Sequence, residues 1–173
     1  VTIPVHLAPL SWASFQLVEG VAEHSDGIFQ NGVIDTPFVT LSVDEGITVY
    51  DKTTNEAYED FIQFEDRGDI GNEYIYFQPK GTEPIFAQLK GYEVLENNAR
   101  YAKVLLKHDL TIPVSADEKL DAEQRGIIEF MKRDAGRSEE LTTIPLETEM
   151  TVFVDNPQIR FKTRFTNTAK DHR

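Results

Sequence analysis

Four carboxylates, one arginine and two glycines are packed into Glu65-Asp66-Arg67-Gly68-Asp69-Ile70-Gly71-Asn72-Glu73-Tyr74. Four chemistries suit such a stretch. The tripeptide Arg67-Gly68-Asp69 is an adhesion motif when it sits on the exposed tip of a secreted protein, and nothing in the sequence argues secretion. A calcium loop of the EF-hand type needs oxygen ligands at alternating positions and a closing glutamate; Asp66, Asp69 and Asn72 fall three apart and miss that spacing. A glycosidase pair needs two carboxyl groups about 5–9.5 Å apart across the scissile bond. Asp66 and Asp69 can reach that separation, but so can many other pairs among thirty acidic residues. The fourth reading is a turn, in which Gly68 and Gly71 bend the chain while Asp66 and Asp69 accept backbone amides.

Other catalytic chemistry finds few residues to use. Zinc needs clustered His, Cys or carboxylate ligands, and His6, His24, His108 and His172 are scattered, with no His-x-His or His-x-x-x-His spacing. There is no cysteine, no Gly-x-Ser-x-Gly and no phosphate-binding glycine loop. The balance of 17 basic against 30 acidic residues gives a net charge of −13. A surface of that sign repels phosphate backbones and anionic membranes, so neither nucleic acid nor membrane is an expected partner. No apolar run is long enough to span a bilayer, and the N-terminus lacks a signal-peptide pattern. With the absence of cysteine, this favours a reducing, cytoplasmic setting. The sequence begins at Val1 without methionine and stops at Arg173, which reads as a piece cut from a longer chain.

The elements that would carry these residues are strands. Val39, Leu41 and Val43 alternate with Thr40 and Ser42, Asp44-Glu45-Gly46 turns, and Ile47 and Val49 resume the alternation. Asp51-Lys52-Thr53-Thr54-Asn55 is the next polar turn. Phe61–Phe64 is a short apolar run. Tyr74–Phe77 is aromatic and β-prone, and Pro84–Leu89 and Tyr101–Leu110 read as further strands. The best-specified pair folds at Asp155-Asn156-Pro157-Gln158, with Val154 opposite Ile159, Val152 opposite Phe161, Met150 opposite Thr163 and Thr148 opposite Phe165. That register puts apolar pairs on one face and Phe153–Arg160, Thr151–Lys162 and Glu149–Arg164 on the other. One segment differs. Ser115-x-x-Glu118 fits a capping box, Gly136 can end a helix, and Leu120, Ile127, Ile128 and Met131 are spaced loosely as a helical face. Gly126 interrupts it, so a polar loop leading into a strand at 126–131 is an equal alternative. Residues 1–24, with Leu7–Phe15 as a strand-like run and His24-Ser25-Asp26-Gly27 as linker, read as the end of a preceding domain.

Several of these stretches together resemble the bacterial branch of glycoside hydrolase family 38, the zinc-dependent α-mannosidases, in its C-terminal β-sandwich region. Leu7-Ala8-Pro9-Leu10-Ser11-Trp12-Ala13-Ser14-Phe15 is similar to the strand "PPLGY…" that closes a small β-domain. Val39–Lys52, ending Val49-Tyr50-Asp51-Lys52, resembles the "…SLYDK" hairpin, and Phe64–Tyr74 resembles the loop "FEDRGDxGDEY". Arg137-Ser138 with Thr143-Ile144-Pro145-Leu146-Glu147 resembles the lead into a strand, and Asn167–Arg173 resembles "NxAxDHR". The matches fall in family order and cover nearly the whole chain.

The resemblance implies a mostly β fold, an antiparallel supersandwich like that of galactose mutarotase, with at most one short helix. Residues 1–24 would end a small β-domain and link it to a β-sandwich over 25–173, truncated at its C-terminal side. A truncated sandwich exposes an edge prone to pairing with another chain, so a homo-oligomer is an expectation. The parent is expected to hydrolyse α-mannosides with retention. Its zinc ligands and aspartate nucleophile would sit in an upstream α/β domain of the same chain, leaving no cofactor and no catalytic residue in this segment. Tyr74 matches a family tyrosine at the mouth of the sugar pocket, with Tyr76 as its neighbour and competitor; Tyr74 and Asp69 are the expected substrate-binding residues. Asn72 departs from the aspartate common at that position. Two other functions stay open: an independent carbohydrate-binding module using Tyr74, Tyr76, Phe77 and Trp12, and a mutarotase-type epimerase, for which His108 is the only acid/base candidate.

Overall fold

The computed structural model describes Val5 and residues 7–16, 18–19, 26–44 and 46–173; His6, His24 and Glu45, singled out above, lie outside the described residues. The first sheet is a meander of short strands, β1 (Phe29–Gln30), β2 (Val33–Asp35), β3 (Val39–Ser42), β4 (Thr48–Asp51) and β5 (Glu56–Tyr58), lying side by side in chain order. A two-stranded ribbon follows, β6 (Glu65–Asp66) with β7 (Ile85–Phe86). The long strands β8 (Gln88–Asn97), β9 (Tyr101–Pro113), β10 (Leu141–Phe153) and β11 (Ile159–Arg164) form the second sheet, in the order β11-β10-β9-β8. All pairings between these strands are antiparallel.

Alternation makes these strands and also packs them. Leu41, Val43, Ile47 and Val49 point inward from the first sheet, and Ala102, Val104, Leu106, Met150 and Val152 point inward from the second; all belong to one buried cluster. Two sheets sharing one apolar layer make a β-sandwich, and the expected mostly β, antiparallel fold holds. Ser42 opposes Thr48 as the alternation requires. Beyond it, the turn after β4 closes as read: the Asp51 carboxylate accepts from the backbone of Thr53 and Thr54. A second cluster, Leu110, Ile112, Ile144 and Leu146, extends the layer under Phe64 and Ile85.

The edge strand β8 is irregular between Leu89 and Gly91 and between Val94 and Glu96. Gly91 sits at φ 155°, which only glycine adopts without strain. Such bulges twist an edge away from further pairing.

Four expectations need correction. The β10–β11 hairpin forms, but Val152, not Val154, opposes Ile159, and Met150 opposes Phe161. The amide of Val154 donates instead to the Arg100 carbonyl at 2.8 Å, which lengthens the turn and slips the register by two residues. Because side chains alternate with period two, the faces are unchanged, and Arg164 still reaches Glu149 at 2.9 Å. The helix α1 runs only Glu118–Arg125, capped by Asp117 rather than Ser115 and ended at Gly126 rather than Gly136. A single 3₁₀ turn, Phe130–Lys132, follows, and there is no strand at 126–131. Tyr74–Phe77 is irregular, not a strand. Leu7–Phe15 makes no strand among the described residues; Leu10, Trp12 and Phe15 are exposed, and Ser11 bonds only back to Ala8.

Candidate functional site

The loop after β6 is held by side chains bonding to backbone. Asp69 Oδ1 accepts from the amides of Gly71 and Phe77, at 2.9 and 3.1 Å. Asn72 Oδ1 accepts from Tyr74 and Ile75, both at 2.9 Å. These are Asx turns, which compete with strand pairing for the same donors, and they explain why the aromatic run Tyr74–Phe77 does not join a sheet. The amide oxygen of Asn72 does here what an aspartate oxygen would do, so the departure from aspartate leaves the turn intact. Gly71 has no room for a side chain, because a Cβ there would lie 1.8 Å from the Ile75 carbonyl oxygen.

Beneath the loop lies an ion cluster. The Asp66 side chain is only 1% exposed; its Oδ2 accepts from Arg137 Nη1 at 2.5 Å and its Oδ1 lies 2.6 Å from His172 Nδ1. The other ring nitrogen of His172 lies 3.1 Å from Asn167 Oδ1. The Arg137 side chain is itself buried, and among the described residues its Nε and Nη2 find no hydrogen-bond partner, so Asp66 is the one acceptor this guanidinium has there. Burying a guanidinium is costly unless a counter-charge is fixed beside it, and Asp66 is that charge.

The terminal motif closes over the same loop. Arg67 and Arg173 exchange two backbone hydrogen bonds, both 2.9 Å, and the Asp69 amide donates to the Asp171 carbonyl at 2.8 Å. Arg173 lies over the Tyr76 ring, 4.6 Å from its centroid. From the other side, Arg133 Nη1 donates to the carbonyls of Ile70 and Gly71, at 2.5 and 2.8 Å. Ile70 is buried with Ala116, Leu120 and Ala135, so α1 and the segment after it bracket the loop.

Each candidate residue now has a place. Tyr74 stands 92% exposed at the loop tip, while Tyr76 is half-buried under Arg173. Asp69 lines a polar cleft of about 490 Å³ together with Asn72, Glu73, Arg133, Asp171 and His172, with one carboxylate oxygen committed to the turn. Asp66 and Asp69 are not a catalytic pair, because the first is sealed in the ion cluster and the second caps amides. Of the two, only Asp69 acts as the backbone cap that the turn reading assigned to both. Arg67 pairs with Glu65, which raises its pKa above the ordinary arginine value. His108 is buried edge-on against Phe64, with ring centroids 5.3 Å apart, and its Nδ1 has no partner among the described residues. Burial pushes its pKa down, and a histidine enclosed this way has no path to a sugar, which removes the residue on which the epimerase reading depended. Among the described residues no group of three or more His, Asp or Glu is arranged to hold a metal ion, and no helix is long and apolar enough to cross a membrane.

Arg133 escaped the sequence reading, because a lone arginine after a 3₁₀ turn carries no spacing signal. Arg137, Asn167 and His172 stood in motifs picked out above, but nothing local tied them to Asp66.

No family model matches the chain. A protein of Halalkalibacterium halodurans, provisionally named a mannosylglycerate hydrolase, is 37% identical over 131 residues, which are 73% of this chain and 14% of that protein. Two solved structures from Enterococcus faecalis share the fold. One is an α-mannosidase, 32% identical with a TM-score of 0.81, matched over 87% of this chain and 18% of its own. The other is a protein of glycosyl hydrolase family 38, 31% identical with a TM-score of 0.83, matched over 90% of this chain and 19% of its own. The chain thus spans less than one fifth of the relatives it matches. By sequence and fold together, it is similar to a β-sandwich segment of these much longer proteins, an α-mannosidase and a member of glycosyl hydrolase family 38 among them.

Proposed function

We propose that this chain is a non-catalytic part of a zinc-dependent, retaining α-mannosidase, supporting the catalytic domain and supplying one wall of its sugar pocket through Tyr74. The observation that carries the reading is the contrast at the loop tip: a fully displayed tyrosine on a backbone tied down by Asp69, Asn72, Arg133 and the terminal motif. An aromatic ring fixed in that way can stack on a sugar face or donate its hydroxyl to a sugar oxygen. The substrate class follows from the relatives, one named for mannosylglycerate and one for α-mannosides. Zinc and the nucleophile are assigned to the upstream domain, and no chemical step runs through residues of this chain.

The test is Tyr74→Ala and Tyr74→Phe in the full-length hydrolase, assayed on an aryl α-mannoside and on mannosylglycerate. Loss of kcat/KM in the alanine variant with an unchanged melting temperature is expected, since the side chain is almost wholly exposed. Phenylalanine should restore activity if stacking dominates and fail to if the hydroxyl does. Unchanged kinetics in both variants would remove Tyr74 from the pocket. The exposure of Tyr74 and Trp12 also favours a second reading, an independent carbohydrate-binding module. Binding of a mannose oligosaccharide to the isolated chain, abolished by Tyr74→Ala, would favour that alternative.

A further inference from the structure

The cleft beside Tyr74 carries polar groups whose roles are already assigned by the backbone. Asn72 Oδ1 is taken by the amides of Tyr74 and Ile75, so the side chain's remaining capacity is the two N–H donors of Nδ2. Asp69 Oδ1 is taken by the amides of Gly71 and Phe77, which leaves Oδ2 as an acceptor. Arg133 commits Nε to the Ile128 carbonyl and Nη1 to those of Ile70 and Gly71, and among the described residues its Nη2 makes no hydrogen bond. All three residues line the same cleft, of about 490 Å³, a size that suits a small ligand.

These groups are held by backbone bonds before any ligand arrives, which lowers the ordering cost of binding. Together they offer an acceptor beside donors. A sugar hydroxyl both donates and accepts, so neighbouring hydroxyls can engage Asp69 Oδ2 together with Asn72 Nδ2 or Arg133 Nη2. A carboxylate only accepts. It would meet the donors, but Asp69, Glu73 and Asp171 bring three negative charges to the cleft against the one of Arg133. Asp66 below is matched by Arg137 and does not change that balance. Counting His172 as charged still leaves three carboxylates against two cations. A further anion is repelled by such a lining.

We infer that this cleft receives the group linked to the mannose, and that it selects an uncharged, hydroxylated group such as a second sugar over a carboxylate-bearing one such as glycerate, with Glu73 and Asn72 setting the preference. The inference rests on the reading that Tyr74 lines a mannoside pocket. Mannosylglycerate, for which one relative is named, is then the poorer substrate of the hydrolase that carries this chain. Specificity of this kind comes from the repulsive element as much as from the attractive one.

The test compares kcat/KM for an α-linked mannose disaccharide and for mannosylglycerate in the full-length hydrolase. The disaccharide is expected to be preferred at low salt, and the preference to narrow as salt screens the cleft. Glu73→Gln should shift the ratio of the two values toward mannosylglycerate by about three- to tenfold. Asn72→Asp, which keeps an oxygen for the Tyr74 and Ile75 amides, should shift it the other way. A wild-type preference for mannosylglycerate, a ratio that Glu73→Gln leaves unmoved, or shifts of the same sign in both variants would each overturn the inference. Calorimetric binding of the two compounds to the full-length protein in the presence of a chelator must follow the same order, and it decides the inference even for a protein that turns over neither. Unchanged kinetics in Tyr74→Ala alongside a shifted ratio in Glu73→Gln would sink the tyrosine wall and leave the charge selection standing.

Discussion

Between β9 and β10 the pairing is unbroken from Leu141 opposite Pro113 to Phe153 opposite Tyr101. Across the sequence from Glu65 to Phe77 only Glu65 and Asp66 are strand, and the rest is held by Asx turns, arginine donors and three backbone hydrogen bonds with Asp171 and Arg173. The sheets position their residues by burying alternate side chains, so each contact is small and the total is spread over many. The loop cluster concentrates its stability in a few polar groups, each of which is hard to replace. A sheet of the first kind tolerates sequence change at any one position. A loop of the second kind can display an exposed residue without fraying, which is what a binding residue requires.

Three substitutions probe that contrast. Asp66→Ala is expected to have the largest effect, because it leaves Arg137 buried with no acceptor among the described residues and removes one of the two ring partners of His172. Breaking a buried ion pair from one side costs about 3–5 kcal/mol, which urea unfolding would detect. Hydrogen exchange should show residues 65–77 and 167–173 loosening first, while β9 and β10 stay protected. A loss shared evenly with the sheets would show that the two regions are not separable.

In the second sheet, His108 gives a pH signature. Its folded pKa is pushed down by burial, so the unfolded chain takes up a proton near pH 6.5 while the folded one resists. The stability from the neutral ring is therefore complete above about 6.5 and falls as the pH drops below it, by up to about 1.4 kcal/mol per pH unit. His108→Phe, which fills the site without a titrating group, should flatten that slope in unfolding measured from pH 7 to 5. A slope that persists in the variant would place the titrating group elsewhere. Smallest of all, Glu149→Gln breaks a pair with Arg164, whose side chain is 61% exposed. It should change stability by about 1 kcal/mol or less, and a larger effect would mean the outer face is under tighter constraint than its exposure indicates.

The two regions also differed in what the sequence disclosed. Alternation placed Met150, Val152 and Phe161 on their faces, and it could not detect that Val154 would bond to Arg100, since that amide leaves the hairpin for a neighbouring turn. In the loop cluster the local chemistry is legible, with Gly71 as a bend and Asp69 as a cap. The long-range part was not: Asp66 and His172 are 106 residues apart, and neither motif predicts that it meets the other. β-propensity misled at Tyr74–Phe77, because side-chain acceptors at Asp69 and Asn72 claimed the amides a strand would have used. The apolar spacing of Leu120, Ile127, Ile128 and Met131 suggests a helical face, with a strand at 126–131 as the equal alternative, whereas the helix ends before Ile127 and the last three face solvent.

Whether this chain supports catalysis without performing it is tested most directly by comparing the isolated chain with the full-length hydrolase on an aryl α-mannoside, each with and without a chelator. The full-length protein is expected to turn over and to stop when its metal is removed, while the isolated chain releases no product under either condition. Product release by the isolated chain would contradict the assignment.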